Sequence, residues 1–147
     1  MTRGRRPTKA LMEAVEIAGR RGCVENISGR RGRAFDFLLI EPFRVVFVKV
    51  KRSQISFTYP LEVLSRYERE IASLHRVALT RTTAREFWVR SPAGEWQFFL
   101  IRHDSVIEVK ANGMYIPREA LPIETVNLSG GPDGSTGDTA APSENGV

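Results

Sequence analysis

Cysteine is nearly absent: Cys23 is the only one in 147 residues. That excludes an internal disulfide and any cysteine-based zinc site, and it fits a reducing compartment, so a cytoplasmic setting is expected. Histidine is almost as scarce. His75 and His103 are the only two, too scattered to make a zinc centre. No apolar stretch approaches the roughly 20 residues that span a bilayer. No apolar core follows the basic N-terminus, as a secretory signal would require, so no membrane association is expected. There is no glycine-rich phosphate loop, no serine-nucleophile motif and no internal repeat.

What is present is charge, unevenly placed. The net charge is +5, and residues 1–33 hold nine Lys/Arg against three Glu, leaving the rest slightly acidic. A basic end on a near-neutral body points to a polyanionic partner, with DNA first. The composition implies three regions. Residues 1–7 read as a flexible basic arm, 8–127 as one domain with room for a core, and 128–147 as a disordered Gly/Ser/Pro/Asp-rich tail without Lys or Arg.

Hydrophobic periodicity sets out the elements. A helix is expected from about Thr8 to Arg21, ended by Gly22, with Leu11, Val15 and Ala18 as its stripe beside Ala14 and Ile17. Three strands follow at Cys23–Ile27, Ala34–Ile40 and Arg44–Arg52, as an antiparallel meander. Pro60 opens a second helix to about His75, on Leu61, Leu64, Tyr67, Ile71 and Leu74. Further strands are expected at Val77–Thr80, Glu86–Ser91 and Trp96–Arg102, the last two a hairpin, with a short one near Ser105–Val109. The fold class is α/β, in the sense of an α+β mixed sheet flanked by helices.

Two inner strands carry charge where a core strand should carry none: Asp36, then Lys49 and Lys51. An unpaired buried charge costs several kcal/mol, so these groups must pair or be used. Alternation puts Val46, Val48 and Val50 on one face, with Val45, Phe47, Lys49 and Lys51 on the other. Asp36 shares a face with Leu38 and Ile40. The tight Glu41-Pro42-Phe43 connection can bring Asp36 opposite Lys49, with Lys51 one step further on.

The order helix, three strands, helix, strand, with Asp36 and the Lys49-Val50-Lys51 triplet, resembles the PD-(D/E)xK (restriction-endonuclease-like) nuclease superfamily. The nearest likeness is to archaeal Holliday junction resolvases, over roughly residues 8 to 102. The resemblance implies a magnesium-dependent endonuclease acting on branched DNA as a homodimer. It makes Asp36 the metal-binding aspartate and Lys51 the lysine that orients the attacking water, with Glu13 or Glu16 of the first helix assisting. Lys49 departs from it, because the family places an acid two residues before the lysine. An ammonium there adds no ligand and changes the local charge by two, while magnesium wants hard oxygen donors. Glu41 is the one nearby substitute. The alternatives are a nuclease-shaped DNA-binding module with an altered site, a working nuclease, and a protein-interaction subunit that keeps the fold. A plain ion pair holding strand register would explain the charges without any site.

Other charged groups extend the DNA reading. Arg3, Arg5 and Arg6 on the arm, and Arg30, Arg31 and Arg33 at a hairpin tip, suit phosphate-backbone contacts. His75 ends a helix, where a cation complements the dipole. Trp88, Trp96, Phe98 and Phe99 could stack bases, but aromatics in strands more often fill a core.

Overall fold

Alternation of the valines in the third strand is the feature that organises the molecule. The computed structural model describes residues 8–26 and 33–116. The arm with Arg3, Arg5 and Arg6, the turn residues Arg30 and Arg31, and the expected tail lie outside the described residues. The elements are α1 (Thr8–Gly19), β1 (Cys23–Asn26), β2 (Phe37–Ile40), β3 (Val45–Arg52), α2 (Pro60–Arg66), α3 (Glu68–His75), β4 (Thr83–Arg90), β5 (Trp96–Ile101) and β6 (Val106–Val109). They form an α+β fold with one six-stranded mixed sheet in sequential order. All neighbours pair antiparallel except β3 and β4, which run parallel. A parallel pair needs a crossover rather than a hairpin, and α2 and α3 supply it.

The sheet is covered on both faces. Val46, Val48 and Val50 join Phe37, Leu39, Trp88 and Phe98 in a core closed by α1. Phe87, Val89, Phe99 and Ile101 form a second core with Val63, Ile71 and Leu74 of the other helices. β4 lies in the middle of the sheet, and its residues from Ala84 to Val89 are all buried. Of the β4–β5 hairpin aromatics, Phe87, Trp88, Phe98 and Phe99 are buried core, and Trp96 packs partly buried against it.

The structure corrects several expected boundaries. In α1 the fully covered residues are Ala10, Ala14 and Ala18, while Leu11, Val15 and Ile17 sit at the margins. Alanines at every fourth position let the helix backbone approach the sheet closely. The helix ends at Gly19 rather than Arg21. Gly22 serves the crossing that follows. A Cβ there would collide with the Ile40 carbonyl oxygen, so only glycine lets the two backbones pass this closely.

The expected second helix is two. Tyr67, at φ −122° and ψ 41°, breaks it. Its ring packs against Phe57 and Phe87, and its hydroxyl donates to the Arg52 carbonyl. The break resets the helical phase: Val63 rather than Leu61 is buried in α2, and Leu61 is 68% exposed. The expected strand at Val77–Thr80 is absent, and β4 begins at Thr83 instead. β2 begins at Phe37, so Asp36 stands just before it.

One charged network lies inside the first core. Glu86 is fully buried on the α1 side of β4. Its Oε1 and Oε2 accept from Arg21 at 2.8 and 2.9 Å, and Oε2 also accepts from the Trp88 indole at 2.7 Å. Arg21 also donates to Glu41, which accepts from Arg44. Burial opposes the Arg21 charge, but the bonds and charges of Glu86 and Glu41 outweigh it and raise its pKa. Gly113, at φ +81°, leaves room beneath these guanidiniums, where a Cβ would fall 2.5 Å from Arg21 Nη2.

Removing one partner of a buried pair strands the other, and the cost is large. Glu86→Gln keeps the side-chain shape but removes the charge opposite Arg21. It should lower the unfolding free energy by about 3 kcal/mol or more in urea denaturation. A loss under about 1 kcal/mol would mean that Glu41 alone satisfies Arg21.

Candidate functional site: a lysine and carboxylate cluster on β3

β3 outlasts β2, and the excess creates the site. The register pairs Phe37 with Val48, and Asp36 N–H still donates to the Val48 carbonyl at 2.7 Å. Beyond that point, among the described residues, the Val50 N–H meets no strand carbonyl. Asp36 Oδ2 accepts it at 2.8 Å, standing in for the missing strand. Oδ1 lies 3.4 Å from Lys49 Nζ, which also donates to the Arg33 carbonyl at 3.4 Å. Asp36 thus meets Lys49 across the strand pair, as alternation and the short turn require. Both Asp36 oxygens are engaged.

Lys51, two residues on, shares its face with Lys49 and looks toward α3. There Glu70 accepts from Lys51 Nζ at 3.1 Å. Burial pushes the Glu70 pKa up, but the Lys51 hydrogen bond and the charges of Lys51 and Lys49 prevail and lower it. The result is an alternating row, Asp36, Lys49, Glu70 and Lys51, with formal charge balanced. Side-chain exposure runs from 17% at Lys49 to 35% at Lys51. Ion pairs this wet contribute about 0–1 kcal/mol each, so the row is held in place without being locked.

The first-helix carboxylates are elsewhere. Glu13 binds Arg90 through Nε at 2.7 Å and Nη2 at 3.3 Å. Arg90 follows Trp88 on the α1 side of β4, so Glu13 lies across the sheet from Lys49 and Lys51. The Arg90 hydrogen bond, followed by Arg90 charge and a Trp96 contact, holds the Glu13 carboxyl below its ordinary range against a burial effect. Glu16 is exposed on α1. Glu41, the expected substitute ligand, is committed to Arg21 and Arg44 at the opposite end of β2. The expectation of a first-helix glutamate beside Lys51 is therefore corrected: the carboxylate at Lys51 is Glu70.

As placed, these residues do not fit a magnesium site. Among the described residues no group of three or more His, Cys, Asp or Glu gathers where a metal could sit. Magnesium needs oxygen donors, and here a lysine ammonium already sits against each carboxylate. The arrangement can do something else: present two ammonium groups, side by side and partly exposed, to an anion with several oxygens.

Glu70 was legible in principle. A crossover helix must pack on one face of the strand it leaves. A glutamate beside the inward residue Ile71 is then the natural partner for a lysine on that face.

The far end of α3 carries a second charged group. Arg85 is buried at 1% exposure and has no carboxylate partner among the described residues; it donates to the carbonyls of Ile101, His75 and Val77. Its guanidinium already complements the helix end, which was the role expected of His75. Partial burial, then the charges of Arg85 and His103, lower the His75 pKa from 6.5. The folded state therefore resists protonating His75. Stability is intact above the unfolded value and is lost as pH falls through the depressed folded one. Urea midpoints measured from about pH 7.5 to 5 should fall more in the wild type than in His75→Gln. Parallel curves would contradict this.

No protein-family model matches the chain, and no curated protein matches its sequence.

Proposed function

We propose that this chain is a DNA-binding module of nuclease-like architecture that grips the phosphodiester backbone through Lys49 and Lys51 and does not cut it. The observation that carries the reading is the Asp36–Lys49 contact at 3.4 Å. Where the resembling nucleases would use a divalent cation against this aspartate, the chain places its own ammonium. A fixed cation on the strand binds phosphate but activates no water. The order of α1, a three-strand meander, a helical crossover and a parallel strand is in keeping with the resemblance. The net charge of +5 and the excess of basic residues before Ala34 favour a polyanion.

A second reading, as a protein-interaction subunit, has one observation in its favour. An open groove of about 500 Å³ runs along α2 and α3, lined by Leu61, Leu64, Ile71 and Ala72.

Fluorescence anisotropy with labelled duplex and four-way-junction DNA separates the two. The dissociation constant should rise steeply between about 50 and 200 mM salt. Lys51→Gln should weaken binding to every sequence and reduce the salt slope by about one. Neither substrate should be cleaved in magnesium. Absence of binding at low salt would sink the DNA reading, and cleavage abolished by Asp36→Ala would show a working nuclease.

A further inference from the structure

We propose that Glu70 is an acidic latch on the phosphate site: it holds Lys51 in the free protein and gives way when a phosphodiester enters. This rests on the DNA-binding reading above and adds a control to it.

The geometry is that of a competitor. Glu70 Oε1 lies 3.1 Å from Lys51 Nζ, and the two side chains are 27% and 35% exposed. The pair is therefore reachable by a ligand from solvent and is not sealed in a core. Its backbone is fixed, because the next residue, Ile71, and Leu74 are anchored in the second core. Only the Glu70 side chain has to move. A phosphodiester oxygen and a carboxylate oxygen seek the same ammonium, so they exclude one another.

The charge balance explains what a latch would do here. With Glu70 on Lys51 and Asp36 on Lys49, the row carries no net charge. A lone phosphate gains little from such a site. A backbone that places several phosphates at once can displace Glu70 and gather contacts elsewhere along the protein. Asp36 is not equivalent, because its second oxygen is tied to the Val50 N–H. Glu70 is the carboxylate of the row that can leave without unmaking a strand.

The same anisotropy titrations test this with Glu70→Gln, Lys51→Gln and the double variant. Glu68→Gln on the same helix controls for general loss of negative charge. Glu70→Gln should tighten binding about two- to fivefold and steepen the salt dependence. That gain should vanish in the Lys51→Gln background, and Glu68→Gln should fall well short of it. Wild-type binding that is weakened by Lys51→Gln but unchanged by Glu70→Gln would overturn the latch and leave the DNA reading standing. A gain that persists without Lys51, or that Glu68→Gln matches, would overturn it equally. No binding by the wild type or by Glu70→Gln would overturn both.

Discussion

Glu86 is a carboxylate in the most deeply buried strand of the sheet, and it cannot be there alone. Its partner, Arg21, comes from the segment that links α1 to β1. Arg21 in turn holds Glu41 at the β2–β3 turn, and Glu41 holds Arg44. One buried charge thus fixes the end of α1, the start of the edge strand, the turn and the central strand against each other. Trp88 closes the group by donating to Glu86 beneath the Arg21 guanidinium. With β3 so positioned, its alternation delivers three valines to one core and two lysines to the opposite face.

The same constraint takes a different form at the site. There the charges are half-exposed and solvated, so each pair contributes little and can be exchanged. The contrast separates the buried scaffold pair from the candidate site. The Arg21–Glu86 pair is made of atoms with almost no access to water. The Lys49 and Lys51 pairs keep water within reach. Asp36 belongs to both regimes, structural through the Val50 amide and electrostatic through Lys49.

The strands of this fold were largely legible, because a period of two is hard to disguise. The phase of β3, the meander, the β4–β5 hairpin and the opposition of Asp36 and Lys49 all follow from alternation and a short turn. The helices were less so. The break at Tyr67 is invisible in a hydrophobic stripe that runs on through Leu61 and Leu64. The alanine stripe of α1 is masked by the larger Leu11 and Val15 beside it. The start of β4 was hidden by Arg85 and Glu86, two charged residues that are fully buried because each has partners distant in sequence. Glu70 is legible only from how the crossover helix packs, beside the inward-facing Ile71. Its significance lies in meeting Lys51 across a crossover, which spacing along the chain does not reveal.

In the proposed reading, the Lys49 ammonium against Asp36 takes the place that a divalent cation would hold in a metal-dependent site. Calorimetric titration of Mn²⁺ into the wild type and into folded Lys49→Glu tests it most directly. The wild type should show no binding tighter than about millimolar, and the variant should bind at least tenfold more tightly, since it gains a carboxylate and loses a cation. Equal and tight binding by both proteins would contradict the claim that Lys49 takes the place of a metal.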